Sequence, residues 1–90
     1  MRYVKISVRI EIFKEEGVFV ALSSGLNVSS FGETIDDAKK SIKEAIEVFV
    51  EECQEKGTLE EVLEESGFSK INNCWISRKP IAAENLAFSV

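Results

Sequence analysis

Between Tyr3 and Phe13 apolar and polar residues alternate along the chain. Val4, Ile6, Val8, Ile10 and Ile12 fall on one side, with Tyr3, Lys5, Ser7, Arg9 and Glu11 on the other. A period of two carried by β-branched residues predicts a strand with one face on a core. Lys14-Glu15-Glu16-Gly17 is a polar connection ending in glycine, which fits a hairpin. Val18 to Leu22 reads as the returning strand, with Val18, Val20 and Leu22 on one side and Phe19 and Ala21 on the other. Ser23-Ser24-Gly25 turns the chain again, and Leu26 to Phe31 reads as a short third strand. Sequential strands on short turns make an antiparallel meander.

At Thr34 the period changes. Ile35, Ala38, Ile42, Ala45, Ile46, Phe49, Val50 and Cys53 follow the three-and-four spacing of a helix with one buried face. That helix runs from about Ile35 to Lys56 and is about 33 Å long at ~1.5 Å per residue. Thr34 is placed to cap it, because its hydroxyl can accept from an orphan N–H of the first turn. Asp36 and Asp37 put negative charge at the positive end of the helix dipole. Gly32 is expected to let the backbone turn tightly ahead of the cap, and Gly57 to supply the left-handed stop. Thr58 and Glu61 read as a capping box for a short second helix buried along Leu59, Val62 and Leu63. Gly67 ends it, and Phe68 falls where a Schellman motif sets an apolar contact against Leu63.

Beyond Ser69 the signals are sparser. Cys74-Trp75-Ile76 reads as extended chain, and Arg78-Lys79-Pro80 breaks it. Leu86, Phe88 and Val90 alternate with Ala87 and Ser89, so a closing strand is expected there, parallel to the first strand after the helical crossover. The predicted fold class is α+β, ordered β-β-β-α-α-β: a meander of three strands plus a C-terminal strand. Both helices pack on its Val/Ile face, in a single domain over residues 1–90.

A hydrophobic content of 44% with 30% charged residues is globular composition. Ninety residues bury only roughly 60–65% of their unfolded surface, so self-association or a partner would add stability. No apolar run approaches the roughly 18 residues of a membrane span, and the alternating start is unlike a secretory signal. A cytoplasmic location is expected. Cys53 and Cys74 then read as reduced thiols. Charge is unevenly placed: residues 33–66 hold twelve acids and four bases, while the rest of the chain holds four acids and seven bases. The acidic segment argues against direct binding of nucleic acid and suits a basic partner.

Glu16-Gly17-Val18-Phe19-Val20-Ala21 in the hairpin, Gly32-Glu33-Thr34-Ile35-Asp36-Asp37-Ala38 at the helix start and Ile42-Lys43-Glu44-Ala45-Ile46 within it resemble the HicB antitoxin family. Members share an acidic-Gly hairpin, a Phe-Val-Ala strand and a Gly-x-Thr-x-x-x-Ala helix start in this order. The run from Gly57 to Glu65 is similar to the second helix of shorter members. The resemblance implies a partial ribonuclease-H-like fold that binds and silences a small RNA-cleaving toxin, HicA. Ser23-Ser24-Gly25-Leu26-Asn27 stands where many members carry a Pro- and Gly-containing segment. A short stand-alone member without an operator-binding domain is expected.

A ribonuclease-H-like fold raises the question of catalysis. Metal-dependent phosphodiester cleavage needs carboxylates converging on metals roughly 3.5–4 Å apart. The first strand instead offers Lys5, Ser7 and Arg9, with Glu11 near its end; Glu11 and Glu51 read as solvated acids. His is absent, which leaves no ordinary acid–base group near neutral pH. Cys53 lies on the apolar stripe, and nothing near Cys74 in sequence would activate it. No catalytic residue, metal ligand or cofactor is assigned, and no enzyme is expected.

The candidate partner-binding residues are Glu44, Glu47, Glu51 and Glu55 on the long helix, set against a solvated face with Lys40–Glu44 and Lys43–Glu47 pairs. Tyr3, Lys5 and Arg9 are candidates for self-association, set against simple exposure. Trp75 reads either as an interface anchor or as a cap on the core. The expected function is an antitoxin that covers a small basic ribonuclease, with homo-oligomers formed through free strand edges. The alternative is a structural or regulatory homo-oligomer without a toxin; a small nuclease with an unrecognised carboxylate site comes third.

Overall fold

A computed structural model describes residues 4–90. The predicted first strand is divided in two by Val8 and Arg9, giving β1 (Lys5–Ser7) and β2 (Ile10–Glu15). β2 pairs antiparallel with β3 (Val18–Ser23), and β3 with β4 (Ser29–Gly32), so the meander is present. The strands run through Lys14 and Glu15, leaving a two-residue turn where a four-residue connection was expected. Its residues Glu16 and Gly17 both have positive φ, +37° and +87°, and a turn of this hand matches the twist of the flanking strands.

The helix α1 (Ile35–Lys56) begins and ends where its sequence signals stand. The Asp37 amide donates to Thr34 Oγ1 at 3.0 Å. At the other end Gly57 is left-handed, its N–H donating to the Gln54 carbonyl at 3.1 Å, and Thr58 N–H donates to that of Cys53 at 2.9 Å. The second helix, α2 (Leu59–Glu65), lacks the expected capping box. The Thr58 hydroxyl donates to the Cys53 carbonyl at 3.4 Å, so it closes α1 instead of opening α2. α2 stops as expected, with Phe68 N–H on the Leu63 carbonyl at 2.9 Å and both side chains buried in one cluster.

The C-terminal half differs from the predicted order. β5 (Ser69–Ile71) and β6 (Cys74–Ile76) form a hairpin closed by Asn72 and Asn73, both at positive φ. β6, and not the segment from Leu86 to Val90, is the parallel neighbour of β1, with Lys5 opposite Cys74 and Ser7 opposite Ile76. Residues 77–90 contain no strand. Burial decides this: Trp75 is 3% exposed, whereas every residue from 78 to 90 is exposed.

The class is α+β, ordered β-β-β-β-α-α-β-β, with strand orders β1-β6-β5 and β2-β3-β4. Ile10, Ile12, Phe19 and Ala21 turn toward Ala38 and Ile42 of α1, while Leu26, Leu63, Phe68 and Trp75 form a second cluster. Val28 and Ile46 touch both. Ser23 fastens the loop between β3 and β4: its hydroxyl donates to the Val28 carbonyl and accepts from the Val28 amide, each at 2.9 Å. Ile42 and Leu63 are fully buried, and each such side chain contributes about 1.5–3 kcal/mol. Gly32 does not have positive φ. Its role is closeness, since a Cβ there would stand 2.5 Å from the Ala38 nitrogen.

Candidate partner-binding surface

Because α1 buries Ala38, Ile42 and Cys53, its opposite side faces solvent. Glu44, Glu47, Glu51 and Glu55 are all exposed on that side. With 3.6 residues per turn they occupy an arc of roughly 80° and a length of about 16 Å. They form one stripe. Among the described residues the ion pair that closes is Lys70–Glu60 at 3.8 Å. The helical pairs Lys40–Glu44 and Lys43–Glu47 do not, so the four carboxylates are left to water or to a partner.

Glu47 and Glu51 also stand, with Lys39 and Lys43, on the rim of a groove between α1 and the first two strands. Ile6, Val8 and Ile10 form one wall, and Ile42, Ile46 and Val50 the other. It encloses about 700 Å³. This is the open flank of the core, since β1 and β2 are both edge strands of their sheets.

Lys5 and Arg9 are exposed, on the side of the strand away from Ile6, Val8 and Ile10; Tyr3 lies outside the described residues. On the same outward side of β2, β3 and β4 is a feature that reading the strands singly missed. Phe13 stands opposite Val20, and Val20 opposite Phe31, a continuous cross-strand row with Leu22 beside it. Phe13, Leu22 and Phe31 are exposed, Phe31 by 69%. The signal was in β3, which is apolar on both sides: Phe19 and Ala21 go to the helix, so Val18, Val20 and Leu22 must face outward. Glu11 and Glu15 border the row.

Glu11 and Glu51 do not meet. Glu11 alternates with the helix-facing Ile10 and Ile12 and so points away from α1, while Glu51 rims the groove on α1. Among the described residues no three His, Cys, Asp or Glu side chains are grouped to hold a metal ion. Cys53 is buried and Cys74 half-buried, both as free thiols. Trp75 is a core residue whose ring carries Lys70 Nζ at 5.9 Å from its centroid. No described helix is long and apolar enough to cross a membrane. No family model, curated protein or solved structure matches this chain.

Proposed function

We propose that the protein is a cytoplasmic, non-catalytic antitoxin of the HicB type that binds and covers a small basic ribonuclease of the HicA type. The observation that carries the reading is the stripe Glu44-Glu47-Glu51-Glu55, exposed along α1 and without lysine partners. An enzyme that grips RNA phosphates is basic where it does so, and a rigid row of carboxylates meets the same field. Complementary charge raises the association rate and selects the partner, while apolar contacts hold the complex. The resemblance of the hairpin and helix start to the HicB family supports the same reading. Direct binding of nucleic acid is disfavoured, because the stripe repels phosphate.

A second reading, a structural or regulatory homo-oligomer, draws on the uncovered row Phe13-Val20-Phe31. Uncovered apolar rows of this kind mark contact surfaces. Co-expression with the small reading frames adjoining its gene separates the two. Rescue of growth from a toxic neighbour, with co-purification of that product, supports the antitoxin. Association of this chain with itself alone, and no rescue, overturns it.

A further inference from the structure

We propose that the segment Leu86–Val90 of one copy seats in the groove between α1 and the first strands of a second copy, adding a strand to the free edge of β2, and that the exchange is reciprocal. The segment has the pattern of a half-buried strand, Leu86, Phe88 and Val90 alternating with Ala87 and Ser89, yet nothing covers it. Leu86 and Phe88 are 82% and 84% exposed, and Ile81 and Val90 wholly so. The radius of gyration is 15.3 Å, against about 12 Å for a compact chain of this length.

The groove has the matching deficit. Its wall presents Ile6, Val8 and Ile10 at a two-residue spacing from β1 to the start of β2, and each of these strands has an unpaired edge. A strand added to that edge places every second side chain on the same face, beside Ile42 and Ile46.

Strand pairing blocks the straight continuation of β6 along β2 within one molecule. β6 pairs with β1 so that Ser7 faces Ile76. The Ser7 and Arg9 carbonyls point to one edge, where they accept from Ser77 N–H and Ser24 N–H, so the chain leaving β6 runs against β3 and lies across β2 from its free edge. The tail therefore leaves β6 on the side of β2 that β3 already holds, whereas the tail of a second copy meets the free edge directly. Area supports the exchange. The three exposed side chains Leu86, Phe88 and Val90 bury roughly 100 Å² each, and with the groove walls two tails remove about 1,200 Å², the lower end of a stable interface.

The test compares the full chain with the double variant Leu86→Asp, Phe88→Asp by light scattering and sedimentation. Because these side chains touch no core, the variant keeps its circular dichroism. The full chain should be a dimer, and the variant a monomer with its dissociation constant raised at least about 100-fold. A photo-crosslinker at position 88, in a mixture of isotopically light and heavy copies, should join light tails to heavy peptides from residues 39–54. A dimer that survives the double substitution, a monomeric full chain, or crosslinks confined to single molecules would overturn the proposal. None of these outcomes depends on a ribonuclease partner, so failure here leaves the antitoxin reading to its own test.

Discussion

Gly32 and Ala38 meet backbone to backbone: a Cβ on Gly32 would stand 2.5 Å from the Ala38 nitrogen and 2.7 Å from the Asp37 carbonyl carbon. The end of β4 is thereby pressed against the first turn of α1, with Ala38 fully buried at the contact. Gly32→Ala should force the two apart and destabilise by about 2 kcal/mol or more. At ~4–8 °C per kcal/mol the melting temperature falls by about 10 °C, measurable by thermal circular dichroism. An unchanged melting temperature would show that the contact yields freely.

Glu16 is the non-glycine half of a turn that needs positive φ at both positions, and it sits at +37°. Glu16→Asn replaces it with a residue that tolerates this region and should stabilise by about 0.5–1 kcal/mol. The check is a higher urea midpoint with an unchanged slope.

The two threonines before the helices look alike in sequence and are not equivalent. Thr34 accepts from Asp37 N–H at 3.0 Å, whereas the Thr58 hydroxyl makes a long 3.4 Å bond to the Cys53 carbonyl. Thr34→Ala should cost about 1 kcal/mol and Thr58→Ala clearly less. Chemical denaturation of the pair decides it, and equal losses would contradict the assignment.

Trp75 packs with Leu26, Leu63 and Phe68. Its fluorescence should be blue-shifted and resist quenching by acrylamide in the Leu86→Asp, Phe88→Asp variant as well as in the full chain. Quenching that is higher in the variant than in the full chain would place Trp75 at an interface instead.

Local signals were legible in the chain, and signals that depend on a distant partner were not. The bounds of α1 could be read because Thr34 and Gly57 act on groups within a few residues of themselves. So could the contact of Phe68 with Leu63. The alternation in Leu86–Val90 marks a strand face without saying whose edge it joins, and it was assigned to the place that Cys74-Trp75-Ile76 occupies. That hairpin is three residues a side, too short for periodicity, and only Asn72-Asn73 marks its turn. The acidic stripe was readable from helical spacing. The row Phe13-Val20-Phe31 was legible only in its middle strand, since β3 is apolar on both sides while the row itself exists only once three strands are in register.

The central claim is that the acids of α1 engage a basic ribonuclease. The most direct measurement is the affinity of the purified protein, and of its Glu47→Lys, Glu51→Lys variant, for the toxin recovered by co-expression, at low and high salt. The account predicts that the variant folds normally and binds at least about 10-fold more weakly at low salt, with a shallower salt dependence than the parent. Equal affinity of parent and variant at every salt concentration would contradict it.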